Sequence, residues 1–167
     1  MELTPLKFGG TGSSSEYLEQ PEEYPDRLES GTPNTVGIAG LGAGLAFLNR
    51  VGLDKIREHE LKLTEMMLAG LKEIPGVTIY GPEDYSRRVP VISFSMGQQD
   101  SGQIGFILDQ VYGIACRTGM HCAPDAHRSI GSFPRGSIRL SFSYFNTEAE
   151  VEQTLLALKE IAGELGR

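Results

Sequence analysis

An α/β (α+β) domain with the element order α-β-β-α-β-β-α is predicted for residues 53–167, and three observations carry the prediction. Apolar residues recur at steps of three and four in two long segments, short β-branched runs lie between them, and glycines and prolines mark the junctions. At 167 residues, 40% hydrophobic and 22% charged, the chain is long and apolar enough for one substantial core.

Residues 1–34 hold Gly9, Gly10, Gly12, serines at 13–15 and four prolines, with neither a helical nor a strand period, so a long loop is expected. A stretch of that length without regular structure is unusual at the start of a self-contained domain. It reads as a functional loop or as the remnant of a larger protein. From Thr35 the run VGIAGLGAGLAFLNRVG predicts a helix buried against other protein, with glycines that let a neighbour come close and Gly52 to end it.

Leu53, Ile56, Glu60, Leu63, Met67, Leu71 and Ile74, with charges between them, predict an amphipathic helix that stops before Pro75-Gly76. Val77–Tyr80 and Val91–Met96 read as strands, and a helix over about 102–111 follows. Ile114–Arg117 is expected as a third strand, 118–135 as a loop and Ser137–Ser143 as a fourth strand. Thr147 with Glu150 three residues later forms a capping box; Val151, Leu155, Leu158, Ile161 or Ala162, and Leu165 then line the inner face of a last helix.

Fifteen basic against twenty-two acidic residues give a formal charge of −7, which repels phosphate backbones and argues against a nucleic-acid partner. No apolar run reaches the ~20 residues of a membrane span, and MELTPLKFGG lacks the basic-then-apolar order of a secretory signal. A cytoplasmic protein is expected. In that reducing compartment two cysteines, Cys116 and Cys122, matter more for chemistry than for stapling.

Gly40-Leu41-Gly42-Ala43-Gly44 looks like a dinucleotide fingerprint, but no strand precedes it and its glycines fall inside the predicted helix, so helix packing explains it better. Better anion candidates are Gly9–Ser15 and Glu29–Asn34, where backbone N–H groups and hydroxyls can converge on a phosphate. The densest cluster is Arg117-Thr118-Gly119-Met120-His121-Cys122-Ala123-Pro124-Asp125-Ala126-His127. A thiol in a polar loop near Arg117 and His121 has the surroundings that favour a nucleophilic thiolate, whereas Cys116, in phase with Ile114, reads as a packing residue. Cys116, His121, Cys122 and His127 supply zinc-type ligands, but C-x4-H-C-x4-H is not the spacing of a structural zinc site, and no metal is expected. Arg139, flanked by Ile138 and Leu140, must meet an anion: a carboxylate of the protein or one of a substrate. His59, amid helix charges, reads as a solvated surface residue.

Taken together, Gly31-Thr32-Pro33-Asn34-Thr35 before an apolar Gly-rich helix, Tyr80-Gly81-Pro82, Tyr112-Gly113-Ile114-Ala115, the Arg117–Ala123 run, and Arg139-x-Ser141 leading to Tyr144-Phe145-Asn146-Thr147 resemble the cysteine desulfurases of the class V aminotransferase superfamily, nearest the SufS/NifS-like group. The resemblance spans essentially the whole chain. It implies the C-terminal small domain of a pyridoxal-phosphate (PLP) fold-type-I transferase at 51–167, with 1–50 as a remnant of the large PLP-binding domain, in a homodimer. It also implies that the lysine holding PLP lies upstream, since Lys7, Lys55, Lys62, Lys72 and Lys159 have no matching setting. By the same likeness Cys122 is the nucleophile, Arg139 binds the carboxylate of L-cysteine, and Arg117 and His121 stand near it. Thr32 would reach the phosphate of a partner subunit's PLP, beside Gly10 and Thr11. Sulfur would pass as a persulfide to an acceptor protein, and mobility of 118–135 would serve that transfer. Cys-Ala-Pro-Asp-Ala-His departs from the commoner Cys-Ala-x-Pro ending, which leaves subgroup and acceptor open. Two other readings stand beside this one: another PLP enzyme of the superfamily (a transaminase, epimerase or selenocysteine-type lyase), or a non-enzymatic domain binding zinc or a partner through the Cys122 loop.

Overall fold

The computed structural model describes residues 3–14 and 16–165; Ser15 and the side chain of Leu165, both invoked above, lie outside the described residues. The chain divides into two compact units, 1–50 and 51–167. In the first, the residues before Thr35 form turns and bends without a helix or strand, and α1 (Thr35–Val51) follows. Asn34 starts it, its side-chain oxygen accepting the Gly37 N–H at 3.0 Å.

No residue of α1 is buried, contrary to the expectation of a buried helix, and Val36, Ile38, Leu41 and Leu45 are exposed. A Cβ built on Gly40, Gly42 or Gly44 would meet nothing within 4 Å. An apolar, small-residue composition fixes a helix face suited to a partner; it does not fix whether the described residues supply that partner.

The second unit contains α2 (Leu53–Lys72), β1 (Val77–Tyr80), a 3-10 turn at Tyr85–Arg87, β2 (Val91–Met96), α3 (Ser101–Tyr112), β3 (Arg117–Gly119), α4 (Pro124–Ser129), β4 (Ser137–Ser141) and α5 (Glu148–Leu165). All strand pairs are antiparallel, in the order β1-β2-β4-β3. The ends are set by local chemistry. Asp100 caps α3 through the Gln103 N–H, and Gly113, at φ 66, closes it by sending its N–H to the Asp109 carbonyl. At the start of α5 the capping box is complete: Glu150 Oε2 accepts the Thr147 N–H at 2.7 Å and Thr147 Oγ1 accepts the Glu150 N–H at 3.3 Å.

One face of the sheet is the core. Ile92, Phe94 and Met96 of β2 and Ile138 and Leu140 of β4 are buried against Leu63, Met67 and Leu71 of α2, Ile104 and Leu108 of α3, and Val151, Leu158 and Ile161 of α5. Alternation along β2 sends Val91, Ser93 and Ser95 to the other face, which is only half covered.

Three sequence expectations need correction. The third strand lies at Arg117–Gly119 rather than Ile114–Arg117, because Ile114 is used to close α3, its N–H reaching the Leu108 carbonyl at 2.8 Å. Cys116 is therefore outside the strand, though it does pack against the core. The expected loop 118–135 contains the end of β3 and all of α4, which Pro124 opens. The fourth strand ends at Ser141, two residues early.

Candidate functional site

The candidate site lies where β3, α4 and β4 meet. Register places Arg117 directly opposite Arg139, and Arg139 opposite Ser93, so the three side chains share the face of the sheet away from the core. Two like charges directly opposed are destabilising unless an anion lies between them. Arg139 is half-buried, its Nε is enclosed without a hydrogen-bond partner, and neither arginine is in an ion pair with a carboxylate among the described residues.

Beyond β3 the chain makes a tight turn, Met120 to Ala123, closed by the Ala123 N–H on the Met120 carbonyl at 2.8 Å. Both central residues have positive φ, His121 at 50° and Cys122 at 60°. Such a turn normally takes Asn-Gly; two side-chain-bearing residues there cost of order 1–3 kcal/mol each and persist only where the surroundings over-determine them. The consequence is that Cys122 stands exposed at the tip, with Arg117 Nη2 3.6 Å from its sulfur. The guanidinium is thus placed to donate to the sulfur.

His121 sits half-buried behind the tip, its Nε2 3.1 Å from Ser137 Oγ and its Nδ1 without a partner. Burial holds the imidazole below its ordinary range, and the charges of Arg139, His127 and Arg117 act in the same direction, so the ring favours its neutral form. Cys116 contrasts with Cys122: burial, aided by Asp109, pushes its thiol up and makes it a poor nucleophile.

Several residues that hold this arrangement were not singled out from the sequence. Gly136, at φ 73, lies so close to Gly119 that a Cβ would come within 2.5 Å of its backbone. Ser101 is buried and ties two segments together, donating to the Arg135 carbonyl at 2.9 Å and accepting the Gly119 N–H at 3.2 Å. In the sequence they are only a glycine before a strand and a serine at a helix start, both too common to stand out. His59 is likewise no solvated residue: it is half-buried, with Nε2 2.8 Å from the Asn146 carbonyl and its ring edge-on to Tyr144.

The other predicted residues, Gly10, Thr11 and Thr32, belong to the 1–50 unit. The Gly31 N–H donates to the Gly10 carbonyl at 2.6 Å, which brings Gly10 beside the Gly31-Thr32 corner. Thr32 is exposed and lines an open pocket of about 650 Å³ with Ser30, Gly31 and Asn34. Thr11 is engaged within its loop: its hydroxyl lies 2.9 Å from Ser13 Oγ, which donates to Asp26 at 2.5 Å. Among the described residues no three His, Cys, Asp or Glu side chains converge as a metal site, so Cys116, His121, Cys122 and His127 do not form a ligand set. No single helix among them is long and apolar enough to cross a membrane.

The aminotransferase class-V family matches residues 1–154. A probable cysteine desulfurase of Methanothermobacter thermautotrophicus is 36% identical over 166 residues, which cover 97% of this chain and 41% of that protein. For a cysteine desulfurase of Salmonella typhimurium the identity is 38% over 168 residues, 99% of this chain and 40% of that protein. Among solved structures, the apo cysteine desulfurase of Thermococcus onnurineus NA1 matches with a TM-score of 0.78 and 34% identity over 87% of this chain and 36% of that one. The Escherichia coli cysteine desulfurase in its S-sulfonic acid form matches with a TM-score of 0.77 and 27% identity over 97% of this chain and 39% of that one. The chain thus spans about two fifths of the length of the curated relatives it matches.

Proposed function

Since the chain belongs to the aminotransferase class-V family, we propose that it is the sulfur-accepting portion of a PLP-dependent cysteine desulfurase, which converts L-cysteine to L-alanine and carries the sulfur as a persulfide on Cys122. The observation that supports this best is the strained, exposed turn that holds Cys122 3.6 Å from Arg117, beyond the edge strand β3 that pairs with β4, where the enclosed Arg139 Nε has no hydrogen-bond partner among the described residues. Residues 51–167 correspond to the small C-terminal domain and 1–50 to part of the large one.

The donor set fits a substrate amino acid. Arg139, rigid on β4 with an unpartnered Nε, binds the carboxylate, Arg117 adds charge, and His121 stands beside both. The exposed Thr32 hydroxyl, with Gly10 and Thr11 in the adjoining loop, would hold the phosphate of PLP bound to a partner subunit in a homodimer. No lysine here fits the covalent role: all five are exposed, and Lys62 pairs with Glu148. That residue belongs to sequence outside this chain. PLP, when bound, supplies an electron sink for the substrate Cα, so that its proton leaves and the Cβ–S bond weakens.

The work of this chain's residues is positioning and sulfur capture. Arg139 fixes the carboxylate and with it the direction of the Cβ–S bond. Cys122 Sγ, as the thiolate, forms a bond to the substrate sulfur as the Cβ–S bond breaks. The persulfide left on the exposed tip is then open to a thiol of an acceptor protein, in the cytoplasm. The test is the full-length enzyme loaded with PLP and given L-cysteine. Alanine should form together with a Cys122 persulfide visible by mass spectrometry; undiminished alanine production by Cys122→Ser would overturn the assignment.

A further inference from the structure

From Pro124 to Gly131 every residue is exposed except His127, which is 4% exposed. A histidine buried so selectively in a surface segment needs partners, and it has them. Its Nδ1 lies 2.6 Å from the hydroxyl of buried Ser132. Its carbonyl accepts the N–H groups of Ser132 and Phe133 at 3.0 and 3.2 Å, and its own N–H donates to Ala123 at 3.2 Å. The Ser132 carbonyl in turn accepts the Gly136 N–H at 2.8 Å, which leads back to the Gly136–Gly119 contact under β3.

The ring of His127 also meets that of His121, with centroids 5.6 Å apart and planes tilted by 33°. His121 is thereby confined between a buried ring on α4 and the buried Ser137 hydroxyl on β4. Since His121 is one of the two positive-φ residues of the turn, whatever fixes its ring also fixes the neighbouring Cys122.

We infer that His127 is a positioning residue for Cys122: anchored by Ser132, it braces the His121 ring and so keeps the strained turn in the one conformation that sets the thiol beside Arg117. The inference rests on Cys122 being the reactive thiol of the proposed function. The groups facing His121 are Arg139 on β4, Arg117 on β3 and His127 on α4, with Ser137 its hydrogen-bond partner among the described residues. Loss of the His127–Ser132 hydrogen bond lets the ring at 127 swing off His121 and exposes His121 to water, which moves the titration of His121 upward.

Alkylation by iodoacetamide, with each cysteine followed separately by mass spectrometry, tests this on the chain itself together with an NMR titration of the His121 ring. The unsubstituted protein tests the underlying reading: Cys122 reacting no faster than a free peptide cysteine would count against the thiol, and this outcome is independent of His127. In His127→Phe and in the milder Ser132→Ala, the Cys122 rate at pH 7 should fall about threefold as the turn loosens and the sulfur leaves Arg117. The His121 midpoint should move up while Cys116, packed against the core, stays protected. An unchanged Cys122 rate and His121 midpoint in folded variants overturns the inference. So does simultaneous exposure of Cys116 in both variants, which would make His127 merely a structural residue.

Discussion

On the helix-covered face of the sheet, Phe94 meets Ile138 and Ile92 meets Leu140 across β2 and β4, and all four are buried. On the opposite face the same strands set Ser93 against Arg139, and Arg139 against Arg117 of β3. The first face follows the rules of sheet stability; the second breaks them, with like charges abreast and an enclosed nitrogen unpartnered. The two are consecutive residues of the same strands. The core face supplies the stability that lets the other face hold two opposed arginines and an unpartnered nitrogen.

The largest expected effect is on the core face. Phe94 is fully buried at the centre of the sheet, so Phe94→Ala should lower the stability of the 51–167 unit by about 3–5 kcal/mol, measured by guanidinium unfolding. A loss below about 1 kcal/mol would mean that the sheet does not draw its stability from that face. Next comes the contact that joins the faces at the site. Gly136→Ala places a Cβ against the Gly119 backbone, at a φ that L-residues avoid, and should destabilise by about 1–3 kcal/mol. Because Gly119 precedes the Cys122 turn, the same variant should slow Cys122 alkylation. Unaltered reactivity would separate this contact from the geometry of the turn.

The same division decides what the sequence reveals. The apolar steps Leu63, Met67 and Leu71 and the alternation of Ile92, Phe94 and Met96 are imposed by burial on one face, so period and composition give α2 and β2 directly. Thr147 and Glu150 are legible for a similar reason, because a capping box is a local bond pattern. The site is legible only as a cluster of residue types. Cys122, Arg117 and His121 lie close together in sequence, but the opposition of Arg117 and Arg139 depends on register between distant strands. Positive φ is uncommon for any residue but glycine, and in succession at His121 and Cys122 it is not something local propensity signals. α4 escaped notice because its six residues, with only His127 buried, carry no period.

A substitution on the polar face should act in the opposite direction. Arg139→Leu removes a half-buried charge opposed to Arg117 and extends the apolar run of β4, so it should stabilise the unit by about 1 kcal/mol. It should at the same time remove the carboxylate-binding group of the proposed enzyme. Destabilisation by Arg139→Leu would show that Arg139 is held by partners within the fold, and the contrast between the faces would fail at its sharpest point.

The smallest effect is one of pH. His121 has its folded-state titration held below the ordinary 6.5 by burial and by Arg139, His127 and Arg117. The unfolded chain therefore takes up the proton first as pH falls. Above about pH 6.5 the ring is neutral in both states and costs nothing; below it stability declines, until the folded ring also protonates and the decline from this group ends. The carboxyls of Asp84 and Glu150 are both held low by hydrogen bonds, so they act in a lower window, as pH falls through their ordinary values of 3.8 and 4.5. Guanidinium midpoints taken between pH 7.5 and 5 thus lie above the carboxylate window, and comparison with a His121 variant separates that ring from His59 and His127. The unsubstituted protein should lose stability across that range, and His121→Gln should flatten the slope. An identical slope in the variant would assign the pH dependence to another group and free His121 from the electrostatic confinement that the polar face imposes on it.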